Sequence, residues 1–222
     1  GVLIKSFYDT FKTGMGKKPA LILKSSMGVA SYISRDSILD KIKRIKDTYG
    51  DVKLPNIYLI SGEFDDSEMN ELYNHPKVKA MVSFTKGEGF GRPLLEFATT
   101  GKPIIASGWS GHTDFLKTDY NVLLPGRLEN VHPSAANDWL VKEAQWFQVD
   151  DKTAKSSLKQ VYKHYKDYLN RSKKQKQYIK ENFSWDKMKK LVNKNLESNV
   201  PDLPVQVPLN LSNIGLPKLN KI

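Results

Sequence analysis

The stretch Val82-Ser-Phe-Thr-Lys-Gly-Glu88-Gly-Phe-Gly-Arg-Pro-Leu-Leu-Glu96, followed by Ala98 and then Gly101-Lys-Pro-Ile-Ile-Ala106, reads as strand, glycine-rich loop, helix and next strand. The first strand ends near Ser83 or Phe84, and Pro93 opens a helix that Gly101 closes. Proline is tolerated in a first turn because its missing N–H costs nothing there, and glycine past the end accepts left-handed backbone. A loop so placed lies at the carboxyl edge of a parallel sheet, where open α/β sheets bind ligands. Its glycines let a ligand approach the backbone. The N–H groups at the helix start, with Arg92 beside them, suit phosphate oxygens. Glu88 in the loop and Glu96 in the first helical turns can point toward one cleft from different heights. An ionised carboxylate only accepts hydrogen bonds and has two oxygens, which matches adjacent hydroxyls on a hexose or a ribose. Two glutamates at this spacing are a weak pattern alone, and the strand-loop-helix context strengthens it.

Working outward, short apolar runs alternate with amphipathic stretches from Ala20 to Gly126, the signature of repeated βα units and a mainly parallel sheet. Residues 20–24, 56–60, 78–83, 103–106 and 121–124 are the five candidate strands of one sheet, with helices over 36–49, 65–74 and 92–101. Val2, Leu3, Phe7, Tyr8 and Phe11 mark one face of a helix ahead of the first strand. After Gly126 the strands are expected to stop. Helices over 137–148, 153–169 and 172–194, the last broken near Phe183-Ser-Trp185, then form a helical appendage. The fold class predicted is α/β, a Rossmann-like sheet flanked by helices. Its boundaries are 1–200 for the domain, with the appendage from about 137, and 201–222 for a Pro-rich tail carrying Pro201, Pro204, Pro208 and Pro217.

A length of 222 residues suits one domain with appendages. No apolar run approaches the ~20 residues of a membrane-spanning helix, no signal peptide is visible, and Gly1 does not look like a natural start. The absence of cysteine excludes disulfides, thiolate metal sites and cysteine nucleophiles, and fits the reducing cytoplasm. A net charge of +11, from 35 basic and 24 acidic residues, permits an anionic partner. Much of it sits between Lys152 and Lys194, where Lys173-Lys174-Gln175-Lys176 and Lys187 to Lys190 read as exposed helix faces. Those faces leave peripheral membrane contact open. No groove-reading or base-stacking signature accompanies the charge, which argues against nucleic acid.

The segment Glu88-Gly-Phe-Gly-Arg-Pro-Leu-Leu-Glu96 resembles the donor-site motif of retaining glycosyltransferases of the two-Rossmann-domain architecture called GT-B, and specifically of their large family four. In that family the motif is written E-G-F-G-x-x-x-x-E, and the likeness covers roughly residues 1–126. The resemblance implies that this chain is the carboxyl-terminal, donor-binding half of such an enzyme, lacking the amino-terminal domain that supplies the acceptor site. It implies transfer of a hexose from a nucleoside-diphosphate sugar, with retention, to a glycan, lipid or protein acceptor. Neither metal nor cofactor is implied. Glu88 would contact the transferred sugar as the catalytic-site glutamate, Phe90 and Gly91 would contribute backbone contacts near it and Glu96 would hold the ribose hydroxyls; Gly89, in the same loop, and Arg92, at the helix start, join them as candidate donor-binding residues. Ser61 and Gly62, at the end of the second strand, would run past the base, and Lys24, at the end of the first, offers a positive charge.

Two departures from the family stand out. In Trp109-Ser-Gly-His-Thr-Asp-Phe115 the acid is present as Asp114, whereas His112-Thr113 replaces the usual small or proline residues. His112 reads as a turn residue satisfying backbone groups. The family's basic pair for the donor phosphates precedes the first helix, and would lie upstream of Gly1. Trp109, Trp139, Trp146 and Trp185 read as core or domain-interface residues. The rival readings are a sugar-nucleotide epimerase or phosphorylase on the same paired folds, and a non-catalytic module binding nucleotide sugars or polyanions.

Overall fold

The computed structural model describes residues 1–14, 16–25, 31–137 and 140–201. The chain divides into two units, Gly1–Ser184 and Trp185–Ile222. The first unit runs α1 (Val2–Phe11), β1 (Leu21–Lys24), α2 (Tyr32–Asp47), β2 (Ile57–Ile60), α3 (Asp66–Asn74), β3 (Met81–Ser83), α4 (Arg92–Ala98), β4 (Ile104–Ser107), β5 (Val122–Leu124), β6 (Gly126–Asn130), β7 (Gln145–Val149), α5 (Asp151–Lys163) and α6 (Tyr165–Asn182). This is the Rossmann-like α/β alternation the sequence predicts.

All five predicted strands form and pair in parallel, as β1 with β2 and as β3–β4–β5 in order. No ladder among the described residues joins the two sets, so the expected single five-stranded sheet is present as a two-stranded and a three-stranded section. β4 shows why these strands read as unbroken apolar runs. Ile105 packs into one core with α1, β1, β5, β7 and α5, while Ile104 and Ala106 pack into a second with α4, Phe115, Leu116 and Ile179. Alternate side chains of one strand thus bury on opposite faces, as a central parallel strand requires.

Beyond β5 the expectation of an all-helical appendage fails. Within the predicted helix 137–148, the described residues 137 and 140–148 are not helical; 145–149 are instead β7, antiparallel to β6, with Leu128 opposite Phe147. Gln-Trp-Phe-Gln-Val alternates, burying Phe147 and Val149 on the core side. Aromatic and β-branched residues at period two favour a strand, and the helical reading undervalued that. Asp150 then caps α5 by accepting from the Thr153 N–H at 2.7 Å. The helix break falls at His164 rather than near 170, because α6 continues through Ser172 and Gln175 into the core. α2 likewise starts earlier than expected, at Tyr32, where the Ser31 side chain accepts from the Ser34 N–H.

α1 packs its buried face, Ile4, Phe7, Tyr8 and Phe11, against α5. Buried Ser6 donates to Asp151 at 2.8 Å, and Lys155 pairs with both Asp9 (3.3 Å) and Asp151 (2.5 Å). Burial pushes the Asp9 carboxyl up, but hydrogen bonds and charge from Lys12 and Lys155 outweigh it and hold the group below its usual range.

Lys173-Lys174-Gln175-Lys176 is not wholly the exposed face predicted. Gln175 is 1% exposed. Its Oε1 accepts from the Lys117 N–H (3.1 Å) and from the Asn121 side chain (2.7 Å), and its Nε2 donates to the Phe115 carbonyl (2.8 Å). The helix therefore ties itself to the turn between β4 and β5.

The second unit contains α7 (Trp185–Asn199), with no buried residue. The predicted break at 183–185 is present, and Trp185, expected in a core or an interface, is 82% exposed. The tail predicted over 201–222 lies, apart from Pro201, outside the described residues, as does Trp139. No helix among the described residues is long and apolar enough to cross a membrane.

Candidate functional site

The loop 84–91 leaves the carboxyl end of β3 and turns into α4 at Gly91, whose backbone is left-handed (φ +84°, ψ +44°). A Cβ there would stand 2.9 Å from the Cβ of His112, so glycine is required both by conformation and by space. The start of α4 offers fewer amides than the sequence suggested. Pro93 has no N–H, and those of Leu94 and Leu95 already donate to the Gly91 carbonyl at 2.9 and 3.1 Å.

A second loop, 108–111, clasps the first. It leaves the carboxyl end of β4, which the Gly108 N–H extends by donating to Leu124 O (2.8 Å). The Glu88 N–H donates to the Ser110 hydroxyl (2.9 Å), that hydroxyl donates to the Glu88 carbonyl (2.6 Å), and the Gly111 N–H reaches the same carbonyl (3.1 Å). Ser110 adopts φ +85°, ψ −173° to do so, a region all but reserved for glycine and costing on the order of 1–3 kcal/mol. Fully buried His112 sits beneath, its Nε2 donating to the Ser107 carbonyl at 2.6 Å. That bond fixes the proton on Nε2, and Nδ1 has no partner among the described residues. His112 thus serves a backbone group, as its place in a turn suggested.

Glu88 itself is half-buried, and no hydrogen bond or ion pair of its carboxylate occurs among the described residues. Glu96, one turn into α4, is held by Arg92, whose Nε lies 2.5 Å from Oε1. The Glu96 carboxylate raises the guanidinium pKa by hydrogen bond and charge. Arg92 is largely exposed and its other arm lies 3.6 Å from Asp66, at the start of α3. Burial lifts the nearby Tyr73 hydroxyl pKa, and the Glu96 charge adds to it. Phe90 stands half out of the loop, its ring 5.2 Å from that of Phe115.

The predicted site residues therefore fall into two groups. Glu88, Gly89, Phe90, Gly91, Arg92 and Glu96 gather with 107–112. Lys24, Ser61 and Gly62 gather at the ends of β1 and β2, where Lys24 stands opposite Ile60 and donates to the Gly62 carbonyl at 2.6 Å, 5.0 Å over the Phe64 ring. The contact of Arg92 with Asp66 links the two through the head of α3.

Lys86, two residues before Glu88, was passed over by the sequence reading. Its ammonium lies 4.0 Å over the Trp146 ring and donates to Gln148 at 2.6 Å, while burial lowers its pKa. The Phe147 N–H also donates to the Lys86 carbonyl. These partners belong to β7, so a reading that made β7 helical had no means of finding them. Trp109, read from the sequence as a core or domain-interface residue, is half-exposed and stacks on Phe147 at 6.0 Å and 8°.

Among the described residues no group of three His, Asp or Glu is placed to hold a metal ion. An open hollow of about 550 Å³ lies at the amino ends of β1 and β2, lined by Lys12, Lys18, Ala20, Lys53 and Asn56. It has no carboxylate and sits at the wrong end of the strands for the ligand site of an open α/β sheet.

The fold and its carboxyl-edge loops define a Rossmann-like unit of the kind that forms one half of a GT-B protein. Its architecture is shared with the crystal structure of Anabaena Alr3699/HepE in complex with UDP-glucose, at a TM-score of 0.60 and 12% identity over 89% of this chain. The chain spans 44% of the length of that one, and at this identity the likeness is one of fold. No family model and no curated protein sequence matches the chain.

Proposed function

We propose that this chain is the donor-binding half of a retaining glycosyltransferase, which takes a hexose from a nucleoside-diphosphate sugar and passes it to an acceptor hydroxyl brought by another domain. The observation that carries the reading is the Glu88 loop, a half-buried carboxylate without a partner among the described residues, on a backbone held by two hydrogen bonds to the strained Ser110 and a third to Gly111. Strain kept at one turn is characteristic of binding and catalytic loops. The fold shared with HepE, crystallised with UDP-glucose, supports the same reading.

In this reading Glu88 accepts hydrogen bonds from the hexose, whose ring lies against the backbone of Gly89, Phe90 and Gly91. Glu96 exchanges Arg92 for the ribose hydroxyls, which leaves the guanidinium to face the diphosphate. Exposed ion pairs contribute little, so the exchange is inexpensive. Ser61 and Gly62 meet the base, and Lys24 adds positive charge at the strand ends. Departure of the diphosphate is eased by that charge rather than by a metal or cofactor, an electrostatic stabilisation of the developing anion.

Calorimetric titration with UDP, GDP and ADP tests the proposal. One nucleoside diphosphate is expected to bind selectively, and Glu96→Ala to weaken it about ten- to hundredfold, the usual cost of losing charge-assisted hydrogen bonds. Equal binding of all three that collapses steeply with salt would instead mark a polyanion-binding module.

A further inference from the structure

Trp109 lies immediately beyond the last ladder bond of β4 and immediately before Ser110, whose hydroxyl holds both backbone polar groups of Glu88. Its indole is 45% exposed. Its plane lies within 8° of that of Phe147, a 7%-exposed core residue, at a centroid separation of 6.0 Å. A large apolar side chain thus lies parallel to a core ring while nearly half its surface meets solvent. The hydrogen bonds of Ser110 fix this segment against Glu88, so Trp109 adjoins the turn that holds the glutamate's backbone.

We infer that Trp109 is the stacking platform for the hexosyl group of the donor and helps set which sugar the site accepts; this rests on the donor-binding reading above. A pyranose has an apolar C–H face and a rim of hydroxyls. An indole on the turn that holds the Glu88 backbone can serve both, the ring taking the C–H face by dispersion and Glu88 taking the rim by hydrogen bonds. Phe147 removes rotamers from Trp109 in advance, which lowers the entropy lost on binding. Phe90, the other half-exposed aromatic of the site, packs on Phe115 from the opposite loop. It lies two residues from the same glutamate and its ring is tilted 50° to that of Phe115 rather than parallel to it, so it is the weaker candidate.

The test compares each nucleoside diphosphate with its glucosyl ester, as UDP with UDP-glucose, GDP with GDP-glucose and ADP with ADP-glucose, on the parent chain, Trp109→Phe and Trp109→Ala. Trp109→Ala is expected to lose about two- to tenfold in affinity for the sugar nucleotide that the parent binds, with no change for the diphosphate alone. Trp109→Phe keeps a ring and is expected to retain most of the affinity. Equal losses for both ligands, or no loss for either, would overturn the platform and leave donor binding standing. If the parent binds none of the six, the donor-binding reading falls and the platform with it.

Discussion

Gly111→Ala is expected to lower nucleotide-sugar affinity more than tenfold and to destabilise the chain by about 3 kcal/mol, at the upper end of overpacking penalties. The added methyl would stand 1.9 Å from the Gly89 carbonyl oxygen, 2.7 Å from its carbon and 3.1 Å from the Glu88 oxygen. All three are backbone atoms, so no side-chain rotation relieves the clash and the two loops must part. Parting breaks the Gly111 bond to Glu88 and pulls the Ser110 hydroxyl from its two partners. Calorimetric titration and thermal unfolding read the two losses. Gly89→Ala provides the contrast, since its Cβ meets nothing within 4 Å, and its unfolding midpoint should barely move. Equal behaviour of the two variants would show that the loops are not clasped in this way.

Gln175→Leu is expected to cost about 3 kcal/mol in a urea titration, because it removes three hydrogen bonds and strands their partners in the core. The Lys117 N–H, the Asn121 side chain and the Phe115 carbonyl would be left without the glutamine. Leucine matches the volume closely, so a small effect would mean that water or local repacking satisfies those groups. Lys174→Leu, one residue away on the exposed side, should change the midpoint little.

What the sequence disclosed follows from how local each cue is. The parallel strands were legible because buried strands are short, apolar and separated by turn residues, and the Glu88 loop because glycine, proline and glutamate sit within one stretch. The clasp was not, because Ser110 carries no cue that it would leave ordinary backbone space. Its partner Glu88 lies 22 residues earlier. Lys86 and Trp109 depend on β7, and the mixed segment before Gln145 hid that strand among expected helices. Gln175 was hidden by its neighbours, since three lysines around one glutamine suggest solvent and only the packing of α6 on the turn after β4 brings it inside.

The clasp between α1 and α5 also has a bearing on how the chain is made. Ser6 and its partner Asp151 are 145 residues apart. At a synthesis rate of about 5–20 residues per second, roughly seven to thirty seconds separate the emergence of the two residues. Throughout that time Ile4, Phe7, Tyr8 and Phe11 lack their α5 partners, whereas the β3–β4–β5 section needs only neighbours made close in time. The sheet section bearing the Glu88 loop can therefore pair before α5 arrives to complete the core around α1.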